Sequence, residues 1–378
     1  MRFQFGIPSL ITFGAGSSEK AGTTASQIGS KVFCVYDKGV KQIAEKIVRT
    51  LKDSGLEVFE FDGVLPNPPD TLVEETASIA RNADIDVIVS VGGGSSLDCA
   101  KAINILLTNP SPINQYNGMN KVKTPTKPHI AIPTTAGTGS EVTTTTIITD
   151  TNKLKKMVIG GRFASASFAL ADPLLTTGMP ASITASTGMD ALTHAIEACV
   201  ARGASIMSDA YAFKAIELIC GDLIEATING DNLAARTNML LGSMLAGIAF
   251  NSAGLGIVHS IAHPLSVHCG LSHGVANACL LPYGMEYYAA VSVKKVKDVA
   301  AAMGLDIQGL SDEEAAEKAV NKAKSLIKEL NIPGLKQTGV SKPIFDRIAE
   351  DALNEITTRT SPGKPTKEAI LAILEKAY

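Results

Sequence analysis

Histidine residues are concentrated in one short stretch of this chain. The segment Gly254–Gly274 holds four of the six histidines, and a fifth, His194, comes four residues after Asp190 in TGMDALTHAIEA. Imidazole is a common metal ligand and proton carrier, and so dense a group is unusual in a chain otherwise poor in histidine. Three imidazoles and one carboxylate can fill most of the coordination shell of a divalent transition metal and leave a position open for substrate. These segments therefore predict a metal centre that does chemistry.

The spacing of the candidate ligands assigns them to a small number of elements. Asp190 and His194 are four residues apart, as are His259 and His263, so each pair shares one face of a predicted helix. Pro264 directly follows the second pair and is expected to bend or end that helix. Two helices can therefore supply most of the ligands.

One more ligand is expected from the element after the turn at Gly270, which begins with His273. His268 is the weakest candidate, because it points about half a turn away from the face shared by His259 and His263. A single histidine is more often an ordinary core or surface residue, but five acidic or imidazole groups at these spacings favour a metal. Spacing alone leaves open which histidine lies outside the coordination shell.

A glycine-rich segment, Val91–Lys101 (VGGGSSLDCAK), follows a predicted buried strand in the first half of the chain. Glycines let the backbone approach a phosphate, and free N–H groups at a helix start attract an anion. Ser95 or Ser96 is expected to cap the helix that follows. The spacing differs from GxGxxG, so the segment predicts a phosphate site without matching the usual dinucleotide motif, and a tight turn is the alternative.

Two other segments place polar groups at strand ends. Asp37 follows KVFCVY (Lys31–Tyr36) and can bind the ribose hydroxyls of NAD while repelling the 2′-phosphate of NADP. A turn or helix-capping role is the alternative for this residue. The segment Pro133–Asp150 surrounds Gly137 and Gly139 with hydroxyl groups that can donate to a cofactor, although a threonine-rich strand with a glycine turn would have the same composition.

The chain changes its secondary-structure pattern once. From Lys31 to about Pro173, β-branched runs alternate with helical stretches, which predicts a parallel sheet covered by helices. After Pro180 only helical patterns remain, among them Gly274–Ala289 and Val291–Met303 as separate helices. We therefore predict an α/β domain over residues 1–178 and an all-α domain over residues 179–378.

The composition is that of an ordinary globular protein. Of 378 residues, 45% are apolar and 19% charged, and the net charge of −3 gives no reason to expect nucleic acid or an acidic membrane surface as partner. The six cysteines form no CxxC pair and lie in apolar runs, as reduced thiols do. No apolar run reaches the roughly 18 residues of a membrane helix, and glycine and proline interrupt the N-terminal segment too often for a signal peptide. A cytoplasmic protein is expected.

A nucleotide site in one domain and a Lewis-acidic metal in the other would suit hydride transfer between an alcohol and nicotinamide. The metal would bind the alcohol oxygen or polarise an aldehyde carbonyl, and a histidine outside the coordination shell could relay the hydroxyl proton. Three alternatives remain open. They are a non-redox enzyme that uses NAD and a metal, a metal-dependent hydrolase of a nucleotide, and a nucleotide-sensing protein with a structural metal.

Four motifs together resemble the iron-containing (group III) alcohol dehydrogenase family: GGGSSLDCAK, PTTAGTGSEVT, GMDALTHAIEA and GIVHSIAHPL with GLSHG. The resemblance is colinear over nearly the whole chain. It implies a Rossmann-like, dinucleotide-binding α/β domain with a parallel sheet and an all-α C-terminal domain. This architecture is also that of dehydroquinate synthase, a non-redox enzyme that uses NAD and a metal. The resemblance further implies a homodimer or larger homo-oligomer acting on a small alcohol or aldehyde.

The resemblance also implies roles for individual residues. The metal, typically Fe²⁺ and in some relatives Zn²⁺, would be held by Asp190, His194, His259 and His273, and His263 would relay the proton. The positions that would contact NAD(H) are Asp37, Gly93, Gly94, Ser95, Asp98, Thr134, Thr135, Thr138, Thr143 and Lys156. The positions that would line the substrate pocket are Asn67, Phe250, Leu255, Arg359 and Thr360.

The substrate is the least specific part of the resemblance, because the family covers ethanol, propanediols, lactaldehyde, butanol, hydroxybutyrate and sulfoacetaldehyde. Arg359 lies in TTRTSPGK, close to a pocket position. We hypothesise that it recognises an anionic aldehyde with a carboxylate or sulfonate, such as sulfoacetaldehyde or a semialdehyde. A solvated surface arginine is the alternative.

Overall fold

The computed structural model describes residues 3–378 and consists of two compact units. The first unit comprises residues 7–135 and 139–177 and is an α/β structure, whereas the second comprises residues 3–6, 136–138 and 178–378 and is helical. The predicted fold class is confirmed. Two short segments, 3–6 and 136–138, belong to the helical unit although they lie before the predicted boundary in sequence.

The α/β unit contains a six-stranded sheet with the order β1-β9-β6-β4-β2-β3, in which every neighbouring pair is parallel. A second, three-stranded sheet has the order β5-β8-β7 and includes the antiparallel pair β7–β8. The strands are β1 Leu10–Phe13, β2 Lys31–Tyr36, β3 Glu57–Phe61, β4 Val87–Gly92, β5 Gly118–Met119, β6 His129–Pro133, β7 Thr145–Asp150, β8 Lys155–Gly160 and β9 Phe168–Ala171.

Both faces of the large sheet are covered, because its central strands are apolar on both sides. In β2, Phe33 and Val35 enter one hydrophobic cluster, and Val32 and Cys34 enter the other. Successive side chains of a strand point to opposite faces, so a strand buried on both faces must be apolar throughout. The helices that supply the two clusters are α1 Ala21–Ser26, α2 Lys41–Asp53, α3 Asp70–Asn82 and α4 Gly94–Thr108.

The helical unit has nine α-helices within the described residues. The helices are α5 Ala181–Val200, α6 Ile206–Ile228, α7 Leu233–Ala253, α8 Ile257–Cys269, α9 His273–Ala302, α10 Asp312–Glu329, α11 Phe345–Leu353, α12 Ile356–Thr360 and α13 Lys367–Ala377. Two of them begin with a capping box, formed by Ser205 with Ser208 at the start of α6 and by Ser311 with Glu314 at the start of α10.

Neither Pro264 nor the residues after Ala289 end a helix in this unit, and a bend at Pro264 stays a prediction. Helix α8 continues through Pro264 to Cys269, because the burial of ten consecutive residues from Ile257 to Ser266 outweighs the roughly 3 kcal/mol cost of an interior proline. The predicted separation between Ala289 and Val291 is a kink inside α9, where Ser292 has non-helical φ and ψ angles of −155° and 49°. His259 and His263 therefore stand on the same helix.

Helix α7 is the one described helix that is long and apolar enough to cross a membrane, with a mean hydropathy of 1.3 over its most apolar window. It packs against α5 and α6, and 61% of that window is buried inside the protein. Arg236 near its start is also buried and donates hydrogen bonds to Gly230, Thr184 and Met179. Its apolar surface therefore faces the protein core rather than lipid.

Candidate metal centre and cofactor loop

Four side chains converge inside the helical unit. Asp190 and His194 come from α5, His259 from α8 and His273 from the first residue of α9. Each offers one ligand atom, and these atoms all lie within 4.8 Å of one another. The side chains of the first three are at most 6% exposed, whereas that of His273 is 28% exposed. The centre is therefore closed on the α5 and α8 side and accessible beside His273.

The backbone carbonyl of Gly137 contacts one of the four clustered side chains. This residue lies in the segment 136–138, which belongs to the helical unit, and its carbonyl oxygen is 3.2 Å from His194 Nδ1. Burial lowers the pKa of His194 to about 4, against the opposing effect of Asp190, so the ring is neutral at neutral pH. With the Nδ1 proton donated to Gly137, Nε2 keeps its lone pair, which is the form that binds a metal.

A buried carboxylate, Glu197, holds His259. Its Oε2 lies 2.6 Å from His259 Nδ1, and His259 Nε2 is 3.7 Å from Asp190 Oδ1. Burial alone would lower the pKa of His259, but Glu197 and Asp190 together raise it to about 9. Burial would likewise raise the pKa of Asp190, but the surrounding histidines bring it well below its ordinary value. Asp190 is therefore ionised and available as a ligand.

Asn277 is a member of this centre that sequence reasoning missed. Its side chain is fully buried, and its Nδ2 lies 2.6 Å from Asp190 Oδ1, 3.1 Å from His259 Nε2 and 3.2 Å from His273 Nε2. Its Oδ1 is buried without a hydrogen-bond partner. When Nε2 of both rings is unprotonated, the two amide protons face three acceptors, and the surplus lone pairs fit a bound cation. The i,i+4 spacing from His273 was the available signal.

The two remaining histidines of the stretch lie outside the four-donor cluster. His263 Nδ1 is 3.0 Å from Glu355 Oε2, and its ring stacks on that of His273 with centroids 5.4 Å apart. His268 Nε2 is 2.7 Å from Asp351 Oδ2. His263 is therefore next to the centre, whereas His268 is hydrogen-bonded to Asp351 on α11.

In the α/β unit, the glycine loop leads directly into a helix. Helix α4 begins at Gly94, its N-cap is Gly93, and no side chain caps it. The predicted capping by Ser95 or Ser96 is therefore wrong: both lie in the first turn, and Ser96 Oγ instead donates to Asp37 Oδ2 at 3.0 Å. Because the first amides of α4 have no side-chain partner, the helix start can accept an anion.

Close packing around this loop also fits a phosphate group. A Cβ atom on Gly92, whose φ is +147°, would lie 2.5 Å from Ser96 Oγ, and one on Gly93 would lie 3.1 Å from Thr135 Cγ2. Thr134 Oγ1 is buried without a hydrogen-bond partner. A buried hydroxyl without a hydrogen-bond partner, next to glycines that leave the backbone accessible, is the arrangement expected where a ligand approaches the main chain.

The other predicted cofactor positions have partners within the protein. Asp37 accepts a hydrogen bond from Gly39 N at 2.8 Å, which is the capping role given above as the alternative. Asp98 accepts from Ser140 Oγ at 2.6 Å and from Ile147 N at 3.0 Å. Thr143 Oγ1 lies 3.3 Å from the carbonyl of Ser140, and Thr138 lies in the segment that belongs to the helical unit.

The predicted substrate positions are divided between the two units. Phe250 stacks on His194 with centroids 4.6 Å apart, and Thr360 Oγ1 donates to the carbonyl of Leu255 at 2.7 Å. Arg359 is exposed on α12. In the α/β unit, Lys156 Nζ donates to Asn67 Oδ1 at 2.5 Å, and Asn67 has a φ of +52°.

A four-donor centre in a helical unit, together with a parallel-sheet unit whose glycine loop opens a helix, defines a metal- and nucleotide-dependent enzyme. Comparison with known proteins agrees. Residues 8–173 match "Iron-containing alcohol dehydrogenase", and residues 184–378 match "Fe-containing alcohol dehydrogenase family, C-terminal".

Relatives match over the full length. The chain is 41% identical to 1,3-propanediol dehydrogenase of Klebsiella pneumoniae, with 100% of this chain and 99% of the relative covered. It is 37% identical to the NAD-dependent methanol dehydrogenase of Bacillus methanolicus, with 99% of each covered. A solved 1,3-propanediol oxidoreductase has a TM-score of 0.97 and 40% identity over the whole of both chains. This chain belongs to the iron-containing alcohol dehydrogenase family, as its motifs predicted.

Proposed function

We propose that this protein is an NAD(H)-linked, iron(II)-dependent alcohol dehydrogenase that interconverts a short primary alcohol and its aldehyde. The observation that supports this most directly is the cluster of one carboxylate and three imidazoles within 4.8 Å, three of the four being buried. We further propose a cytoplasmic homodimer or larger homo-oligomer. The six cysteines are all free, which suits a reducing compartment.

Asp190, His194, His259 and His273 would hold the metal, and donors of this type suit both Fe²⁺ and Zn²⁺. When bound, the metal supplies Lewis acidity to the oxygen of the alcohol or aldehyde, and the nicotinamide accepts or supplies the hydride. The protein's part is to exclude water from the buried side of the centre, to orient the imidazoles through their second nitrogen, and to leave access beside His273.

His263 is proposed to move the hydroxyl proton. Its Nδ1 proton is donated to Glu355 at 3.0 Å, so its Nε2 can accept a proton from the substrate or return it. The side chain of Glu355 is only 12% exposed, and its contact with Nδ1 holds the His263 ring in one orientation. His263→Asn should therefore lower kcat far more than it lowers metal content.

The cofactor is proposed to lie along the glycine loop. The free amides at the start of α4 from Gly94 and Ser95, with Gly93 and the orphaned hydroxyl of Thr134, would bind its pyrophosphate. The remaining predicted contacts are Thr135, Thr138, Thr143, Lys156 and Asp98. Asp37, which lies beside Ser96, would favour NAD over NADP by repelling a 2′-phosphate.

The substrate is proposed to be a short, neutral primary alcohol. The full-length relatives named above act on 1,3-propanediol and methanol, and Phe250 stacks against the ligand His194 and adds an apolar surface beside the centre. The anionic aldehyde predicted from Arg359 is the second candidate, because that guanidinium is exposed one residue before the pocket position Thr360.

The test is NADH oxidation by protein stripped of metal and reconstituted anaerobically with Fe(II) or Zn(II). The substrates are neutral aldehydes such as 3-hydroxypropanal and anionic ones such as sulfoacetaldehyde. We expect activity only after metal is restored, with the neutral substrates preferred. If the anionic hypothesis holds instead, Arg359→Ala should raise the KM for anionic substrates alone. No turnover with any metal despite NADH binding would contradict the proposal and favour a non-redox or sensing role.

A further inference from the structure

Glu197 is a fully buried carboxylate on α5 that the predicted reaction does not use directly. It accepts hydrogen bonds from Gly256 N at 2.9 Å, Val258 N at 2.8 Å and His259 Nδ1 at 2.6 Å, and a fourth from the hydroxyl of Tyr288. Four donors satisfy most of the lone pairs of one carboxylate, which is what allows a charge to remain in the interior.

Two of these donors are backbone amides at the start of helix α8. The first amides of a helix have no acceptor within the helix, and no side chain of α8 itself caps Gly256. Glu197 supplies that acceptor from another helix, and the positive end of the α8 dipole stabilises its charge. The carboxylate thus fixes the start of the helix on which His259 stands two residues later.

The carboxylate of Glu197 lies closely packed against the backbone of Gly256. A Cβ atom on Gly256 would lie 2.9 Å from Glu197 Oε1 and 2.3 Å from the hydroxyl oxygen of Tyr288. Contacts that short do not occur in folded proteins, so a glycine at this position is what allows the carboxylate to lie against the backbone. The bond to His259 therefore has a defined geometry.

We propose that Glu197 is a positioning residue of the metal centre. It holds the His259 proton on Nδ1, directs the Nε2 lone pair toward the space shared with Asp190, and gives the imidazole negative charge that strengthens it as a ligand. The proposal rests on the function proposed above. A residue that merely capped α8 would support the fold but would not set metal affinity.

The test compares Glu197→Gln with Tyr288→Phe. Glutamine keeps the volume but has one acceptor oxygen, so two of the four donors must face an amide NH₂ group and His259 no longer faces a charge. Tyr288→Phe removes a different donor from the same carboxylate and leaves the bond to His259 intact. Zn(II) affinity is measured by chelator competition, and the Co(II)-substituted proteins are compared by their visible absorption spectra.

We expect Glu197→Gln to bind Zn(II) about 10- to 100-fold more weakly and to have an altered Co(II) spectrum, whereas Tyr288→Phe stays within about threefold of wild type. Equal Zn(II) affinities of Glu197→Gln and wild type, with matching Co(II) spectra, would overturn the proposal. So would equal losses in both variants, since these would show a purely structural role. If Glu197→Gln does not fold, Glu197→Asp replaces it, because its shorter carboxylate should also weaken binding, and unchanged affinity there would overturn the proposal.

The wild-type protein separates this inference from the proposed function. If wild type binds no divalent metal, and His259→Ala is indistinguishable from it, the proposed function fails. If wild type binds metal, His259→Ala does not, and Glu197→Gln equals wild type, then only the role of Glu197 fails.

Discussion

Replacing Asn277 by aspartate should have opposite effects on the metal-free and metal-loaded protein. The two side chains have the same shape, but the substitution places a second carboxylate where Nδ2 now lies 2.6 Å from Asp190 Oδ1. Without a cation, the new charge repels Asp190, an effect that the neighbouring imidazoles of His259 and His273 partly offset. With a cation, the added carboxylate is one more anionic donor.

The size of the effect follows from this distance. Two unit charges separated by 2.6 Å repel by about 6 kcal/mol at an effective dielectric constant of about 20. The repulsion disappears if one of the two carboxylates is protonated. Protonating an aspartate of ordinary pKa costs about 4 kcal/mol of free energy at pH 7 but only about 1.5 kcal/mol at pH 5. The metal-free variant should therefore lose at most about 4 kcal/mol of stability at pH 7, a fall in Tm on the order of 10 °C.

The sign of the pH dependence follows from the repulsion by Asp190. Where that repulsion exceeds the attraction of the His259 and His273 imidazoles, the folded state raises the pKa of the added carboxyl, so the loss is small near pH 4 and grows as the pH rises. Thermal unfolding of the metal-free protein between pH 5 and 8 measures it, and chelator competition measures Zn(II) affinity, which should rise at least about tenfold. Asn277→Ser is the matched control: it removes the amide without adding charge, so its stability loss should not depend on pH. A pH-independent loss in Asn277→Asp, or unchanged Zn(II) affinity, would refute the reasoning.

Three other substitutions test separate parts of the structure. A Cβ atom on Gly137 would lie 2.8 Å from Thr187 Cβ and 3.1 Å from its carbonyl oxygen, so Gly137→Ala should cost about 1–3 kcal/mol and weaken metal binding; Gly178→Ala, which meets nothing within 4 Å, should be neutral in both assays. Gly221→Ala fills open space on α6 and should raise stability by about 0.5–1 kcal/mol in denaturant unfolding, and a loss would contradict the contact geometry. Burial lowers the pKa of His129 to about 3, so this residue should reduce the free energy of unfolding by about 1.4 kcal/mol per pH unit as the pH falls from 6.5 toward 3. In guanidinium titrations, His129→Gln should lack that contribution to the slope.

Much of the fold could be predicted because its signals are local. The apolar run of β2 and the capping box of Ser311 are both visible within a few residues of sequence. The structure differs where tertiary contacts decide. The run TTTTIITD predicts a strand over Thr143–Asp150, but β7 begins only at Thr145, because Ser140–Val142 forms a 3₁₀ turn. The short strand β1 was missed, because its four residues follow a proline and its only partner, β9, is 158 residues away.

The four clustered donors were predicted as a set only with the help of the family resemblance, since spacing did not exclude His263. The contacts that orient the donors could not be predicted at all. The bonds from Glu197 to His259 and from Glu355 to His263 span 62 and 92 residues. Nothing in a one-dimensional pattern distinguishes these glutamates from surface ones.

Histidine density alone could not identify which histidines form the four-donor cluster, for a physical reason. Histidines inside and outside the four-donor cluster alike have a side-chain or backbone oxygen beside one ring nitrogen, so having such a partner does not distinguish a member of the cluster. The oxygen partners belong to Ser90, Gly137, Glu197, Glu355 and Asp351. What distinguishes a member of the cluster is where the other nitrogen points: for His259 it faces Asp190, whereas His129 Nδ1 is buried without a hydrogen-bond partner. For His259 that direction depends on how α5, α8 and α9 pack. An oxygen beside one ring nitrogen can therefore orient an imidazole toward a metal site in one place and hold a structural imidazole in another.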